Sequence, residues 1–448
     1  MKFMKIIRYL ILFLILVFIS SMLFLGCIKI ETYTITASAK DGGTISEIGV
    51  TTVNKGDSKS YTITPDEGYE VYDVLVNSIS EGELSSYTFE DVTSDQTIEA
   101  IFAQNYVITA KDKVILAKPS VCYITNYYYA YVYDAWYDEY SELYYYGPTG
   151  GTGFCVNPGS GSIVTAGHVI DVSIDEIKYS IIEGYLNDCY DTGTFTDENW
   201  NNAFNTFRIE GENGPDPDRE VWVQFNTASA GLPDSPDEGY IKAEVVDFSP
   251  WEQRDIAVLK ITPVTGRALS SSTLGDSSMT EVQDDITIIG YPWTAEISSE
   301  SIMTPTIATG TISARKMVEG TEVLQVNMTA APGNSGSPVL NEDGEVIGML
   351  TMGTTESVNF LRISNDIRGM LNKNGVTNEL GTVDEEFKEG LVMYRLKHYS
   401  KAIEHFNAVL NLNQKHLLAQ EYRSKAQEAI NRGEDIPLEE GVEINIVE

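Results

Sequence analysis

Basic residues are scarce in this chain: 30 Lys and Arg stand against 66 Asp and Glu, a formal net charge of −36 over 448 residues. Neutralising a phosphate backbone takes clustered cations, so this balance excludes nucleic acid as a partner and suits a self-repelling exported surface. Histidine is rarer still. There are four, and His398, His405 and His416 all fall near the C-terminus. Cysteine is limited to Cys27, Cys122, Cys155 and Cys189, with no CxxC pair and no Cys/His spacing of the kind that holds a metal. Neither a metal nor another cofactor is expected. Beyond residue 26 no stretch is apolar enough to span a bilayer.

What is present reads as a globular chain, 42% hydrophobic and 21% charged, with room for about two to four domains. Its long apolar run is at the start. Lys2, Lys5 and Arg8 form a basic head, Tyr9 to Leu25 is almost uninterrupted apolar chain, and the run ends in "FLGC" at Cys27. Residues 1–27 therefore resemble a lipoprotein signal, which implies cleavage before Cys27 and lipidation of its thiol. Phe24 stands where that motif usually has Leu. An uncleaved signal anchor is the alternative, since the run is nearly long enough to cross a membrane. Either way the remainder is expected outside the cytoplasm, tethered to the membrane.

Residues 31–103 alternate with period two, as in "YTITASAK" and "GYEVYDVLVN", with Gly and Asp/Asn at the turns. This is the pattern of a small all-β unit, and it resembles a divergent internalin-type B repeat, which implies a stalk. After residue 383 the period changes: Tyr399, Ala402, Ile403, Phe406 and Leu410 share one helix face. Residues 384–431 resemble a tetratricopeptide repeat, with Gly390, Tyr399, Ala402 and Phe406 at that motif's positions. One repeat cannot bury its own face, so it is expected to pack on the β region or on a protein partner. Residues 432–448 read as an acidic tail.

Residues 108–380 are rich in apolar strands and Gly/Pro turns, and three stretches there fit one mechanism. "GSIVTAGHVI" carries His168, "QRDIAVLKI" carries Asp255 at the head of a strand, and "PGNSGSPVL" carries Ser335. A serine hydroxyl is a weak nucleophile until a base takes its proton. A neutral imidazole can take it and return it to the leaving amine. A carboxylate on the other ring nitrogen fixes the tautomer and stabilises the imidazolium. His168 has no competing histidine in this region, whereas Asp247 lies near Asp255 as a rival. The turn around Ser335 can aim the N–H groups of Gly333 and Ser335 at one point, an oxyanion hole worth roughly 3 kcal/mol per donor. Gly333 permits the backbone geometry. Singly, these residues read as a core histidine, a strand-edge acid and a turn. Together, in this order, they point to acyl transfer at peptide bonds.

"GTGFCVNPGSGSIVTAGHV", "DIAVLKI", "LGDSS", "IGYP" and "PGNSGSPVLNEDGEVIGM" resemble the HtrA-type and glutamyl-endopeptidase-type bacterial proteases of the trypsin fold. The resemblance implies a mainly β chain whose protease domain is a double six-stranded β-barrel, preceded by the β repeat and followed by the helical segment. It makes His168 the base, Asp255 its orienter, Ser335 the nucleophile, and Gly333 with Ser335 the oxyanion hole. It departs in lacking a PDZ-like domain and in a long insertion over 172–245. The specificity pocket it implies draws on two stretches, with Thr329 and Ala330 before the nucleophile and Leu350, Thr351 and Met352 after it. Thr329 stands where trypsin-like enzymes carry Asp, so cleavage is expected after small or medium apolar residues. Cys122 and Cys155 read either as a disulfide or as two buried thiols. The Tyr-rich residues 125–146 read as an exposed hairpin with a stacking core. The rivals to a peptidase are a catalytically silent scaffold that binds peptides or proteins, and a surface adhesin.

Overall fold

Alternation in the first hundred residues turns into strands whose every second side chain is buried. Ile35 and Ala37 of Thr32–Ala39 cluster with Ile98, Ala100 and Phe102 of Gln96–Val107 and with Tyr61 and Ile63, the period that a strand with one covered face requires. The structure is a computed structural model that describes residues 2–23, 30–225, 228–229, 240–292, 302–318, 320–328, 331–355, 358–438 and 442–447. It divides into two units, the first comprising Met1–Val107 with Leu438–Val447. The C-terminal segment, read from sequence as a tail, ends in a strand, Glu443–Val447, that pairs in parallel with Ala103–Val107 of the first unit. Lys2–Leu23 is helical. Among the described residues no helix is long and apolar enough to cross a membrane. Cys27 lies outside the described residues.

The second unit, Ile108–Pro437, holds two closed antiparallel barrels of six strands. Strands β1 (Val121–Asp134), β2 (Glu139–Asn157), β3 (Ser162–Thr165), β4 (Asp218–Phe225), β5 (Tyr240–Ser249) and β6 (Ile256–Ile261) form the first. They pair in the order β2-β3-β6-β5-β4-β1, and β1 returns to β2. The second barrel runs through β7 (Asp285–Gly290), β8 (Thr306–Val318), β9 (Thr321–Asn327), β10 (Pro338–Leu340), β11 (Val346–Thr355) and β12 (Val358–Ile363). It closes in the order β7-β8-β9-β12-β11-β10. Closure removes the edges that an open sheet would expose.

The insertion after His168 supplies helices α1 (Ile174–Cys189) and α2 (Asp197–Thr206). Ser173 caps the first by accepting from the Glu176 N–H at 3.2 Å, and Thr196 and Asn199 form a reciprocal capping box on the second. Their apolar faces, Ile177, Ile181, Leu186, Ala203 and Phe207 among them, cover Tyr128, Ala130 and Val132 on one side of the β1–β2 ribbon. The opposite side carries tyrosines in cross-strand pairs, Tyr129 with Tyr145 and Tyr133 with Tyr140. The Tyr-rich segment is thus a hairpin with one covered and one open face.

Three helices close the unit: α3 (Thr382–Arg395), α4 (Tyr399–Leu412) and α5 (Leu417–Asn431). The face that a single helical pair leaves open is covered twice. Within the segment, Phe387, Phe406 and Tyr422 meet ring to ring. Toward the barrels, Asp384 accepts from the N–H of Ser271 at 3.1 Å and from its hydroxyl at 3.1 Å, and Asn413 donates to the Ala268 carbonyl at 3.0 Å. The segment packs on the β region.

Candidate active site

The first barrel carries His168 and Asp255. Strand β3 runs out through Ala166 into a single helical turn, Gly167–Ile170, which carries His168. The turn needs glycine at 167, because a Cβ there would lie 2.3 Å from the Ser249 carbonyl oxygen. Asp255 sits just ahead of β6 with φ +51°, a left-handed conformation that costs a non-glycine residue energy and collects at functional sites. Its backbone N–H donates to the Pro250 carbonyl at 3.1 Å, which holds that conformation.

The Asp255 side chain is wholly buried. Its Oδ1 accepts from the His168 backbone N–H at 2.8 Å, and its Oδ2 stands 2.9 Å from His168 Nδ1. The Thr351 hydroxyl donates to the same Oδ2. A buried carboxylate is tolerated when its lone pairs are met by donors, and here donors come from both barrels. With Nδ1 held by Asp255, the other ring nitrogen is left to exchange a proton with a substrate-side group. The ring is 30% exposed, and the edge of Trp251 meets it at 5.5 Å and 88°. The rival Asp247 is engaged elsewhere, accepting from Lys373 at 2.7 Å and Asn374 at 2.9 Å.

Ser335 lies in the loop between β9 and β10, and the loop is clamped to β2. Thr152 N–H donates to the Ser335 carbonyl at 2.8 Å, while Thr152 Oγ1 donates to the Gly333 carbonyl at 2.8 Å and accepts from the Tyr291 N–H at 2.9 Å. Gly333 and Gly336 have φ of 95° and 88°, values open to glycine. At Gly336 a Cβ would fall 1.9 Å from the Thr152 carbonyl oxygen. A Cβ at Gly151 would lie 2.7 Å from both the Ser335 carbonyl oxygen and Val169 Cγ2. Strand β2 therefore threads between the backbone of Ser335 and the residue after His168.

The pocket residues expected from sequence are distributed differently. Leu350 is 3% exposed and packs in the second-barrel core with Ile288, Leu324 and Leu361, and Thr351 is turned to Asp255. Strand β11 is covered on both faces, since its neighbour Met349 is buried in the cluster where residues of both barrels meet. The Leu350 and Thr351 side chains are thus buried, the first in the second-barrel core and the second against Asp255. Thr329 and Ala330, and the side chain of Met352, lie outside the described residues. Cys122 and Cys155 are free, buried thiols. Cys122 faces Gly153 across the β1–β2 pair, and burial pushes both thiols well above their usual range. Sequence reasoning missed Thr152 and Trp251, and it read Thr351 as lining a pocket without its bond to Asp255. The run "GGTG" within β2 is the one local sign that something passes close to this strand.

Two closed six-stranded barrels, with His168 and Asp255 on the first and Ser335 between strands of the second, define a trypsin-like fold. Residues 151–349 match the family model of the trypsin-like peptidase domain. Over 145 residues the chain is 28% identical to a glutamyl endopeptidase of Staphylococcus aureus (strain MW2), covering 31% of this chain and 41% of the relative. The same identity and length hold for the glutamyl endopeptidases of strains MSSA476 and N315, with 40% and 39% of those relatives covered. The chain spans about two fifths of the length of these curated relatives.

Proposed function

We propose that this protein is a membrane-tethered, exported serine endopeptidase. In this reading His168 takes the proton from Ser335 Oγ as the hydroxyl attacks a peptide carbonyl, and returns it to the leaving amine. Asp255 holds the imidazole and stabilises its charged form, and the N–H groups of Gly333 and Ser335 receive the oxyanion. The observation that carries the reading is the Asp255 carboxylate, wholly buried and bonded to both His168 Nδ1 and Thr351. A retired scaffold has no need to hold a carboxylate at that cost. The test is labelling with a fluorophosphonate. Wild type should be labelled and Ser335→Ala should not; an unlabelled wild type would favour the silent scaffold.

Cleavage after small or medium apolar residues is supported by Thr329 and Ala330, which bring no charge to the segment before the nucleophile. The names of the relatives favour a second reading, cleavage after Glu. A peptide-library digest read by mass spectrometry separates the two. Residues 31–103 are proposed as a stalk and Cys27 as the lipid anchor. Cys27→Ser should then shift the protein from the membrane fraction to the medium.

A further inference from the structure

The surface of the first barrel shows twice, beside β1 and on β4 and β5, how it holds a cation. Arg208 lies 4.0 Å over the Tyr133 ring and 3.4 Å from Glu210. Lys242 lies 5.8 Å over Trp222 and bridges to Glu220. In each case a positive group sits between an aromatic face and a carboxylate, the combination that binds cations best at a surface. Between these two lies a third aromatic pair, Tyr129 and Tyr145, with ring centroids 5.8 Å apart and Tyr145 59% exposed. Among the described residues no cation of this chain lies over either ring. Carboxylates lie there all the same: Asp218 is the cross-strand partner of Tyr129 and accepts from the Glu212 N–H, and, after burial, the nearby carboxylate charges push the Tyr129 hydroxyl above its ordinary range. Among the described residues the face thus offers aromatic surface beside Asp218 and Glu212 with no intramolecular cation over these rings, Glu220 being bridged already to Lys242.

We propose that the Tyr129–Tyr145 pair and its carboxylates form an exosite for a Lys or Arg side chain of an extended polypeptide substrate. This rests on the endopeptidase reading for its purpose, though binding does not depend on it. Strand β2 sets the reach, since Tyr145 lies at one end and Gly151, against the Ser335 backbone, six positions along. At roughly 3.3 Å per residue that is at most about 20 Å, since β2 is irregular between Tyr146 and Thr149, so the basic residue would lie within about six residues of extended chain from the cut bond. An uncharged glycan would also stack on tyrosine, but it would leave the carboxylates and the two internal precedents without a role.

The test uses full-length Ser335→Ala protein, which cannot turn the probe over, and a short fluorescein-labelled Gly/Ser peptide bearing two lysines. Anisotropy should show binding that weakens with salt and vanishes for the acetyl-lysine counterpart. Tyr145→Ser or Glu212→Gln should weaken it about two- to fivefold, whereas Glu385→Gln with Glu428→Gln, on the helical segment, should not. If the lysine peptide fails to bind, or the helical-segment pair weakens it as much, the exosite is overturned. Neither result bears on the fluorophosphonate test, so the two readings fail separately.

Discussion

Thr152 joins the two barrels at Ser335: its N–H donates to the Ser335 carbonyl at 2.8 Å, and its hydroxyl links Tyr291 N–H to the Gly333 carbonyl. Position 333 is where the oxyanion hole is proposed, so one buried threonine orients that peptide from the far barrel. Thr152→Val keeps the shape and removes the hydroxyl, leaving two buried backbone groups unpaired. The expected cost is about 1–3 kcal/mol of stability, read by chemical denaturation. kcat should fall with little change in KM, because the oxyanion contact is made in the transition state.

Thr351→Val removes a donor from the buried Asp255 carboxylate. The expected result is a loss of about 1–3 kcal/mol in transition-state stabilisation, a tenfold or so fall in kcat/KM on a short peptide. A variant that kept wild-type kcat/KM would show that the Thr351 hydroxyl does not support Asp255.

Gly336→Ala puts a methyl 1.9 Å from the Thr152 carbonyl at a φ of 88°. Backbone cannot yield as a flexible side chain can, so the loop should leave β2. Activity should be lost while the far-ultraviolet circular dichroism stays close to wild type, because barrel closure does not pass through this residue.

Two buried groups on the helical segment give opposite pH dependences. His416, packed 4.7 Å from Phe387, is lowered by burial from 6.5 to about 4. The unfolded chain takes up that proton first, so this contribution to stability falls as pH drops from about 6.5 to 4. Asp384 is raised by burial from 3.8 to about 6, against the hydrogen bonds it accepts from Gly381 and Ser271. Its contribution is full below about pH 4 and is lost as pH rises through 6. Each shift is worth about 3 kcal/mol in order of magnitude, so the two largely cancel in the wild type. Relative to it, Asp384→Asn should make stability rise with pH across 4–6 and His416→Gln should make it fall, measured by denaturant titration at a series of pH values.

Truncation after residue 380 should destabilise the barrels, because Asp384 and Asn413 bond to the loop at 268–271. Removing residues 31–103 should leave turnover of small peptides intact. A truncated chain with an unchanged unfolding midpoint would show that the helices are independent of the barrels.

Much of this protein is written locally. The alternation in 31–103, the 3.6-residue period after 383 and the tyrosine hairpin each depend on near neighbours in the chain. The three site peptides are local too, since a left-handed glycine and a strand-ending His or Asp are demanded by the bend they make. By itself the sequence determined the alternating and helical segments, the grouping of His168, Asp255 and Ser335 as candidates for one mechanism, and the scarcity of groups for any rival chemistry; it did not show the helices at Ile174–Cys189 and Asp197–Thr206 or the strand at Glu443–Val447. What it left open is which surface covers which. Period two says that Leu350 and Met349 face opposite ways, but not that both faces of β11 are buried, so Leu350 read as pocket and lies in core. The strand at Glu443–Val447 finds its partner more than three hundred residues away, and Thr152 and Thr351 have meaning through bonds that cross barrels. Only the tertiary structure decided those, because register and closure are set by non-local contacts that no stretch of chain carries alone.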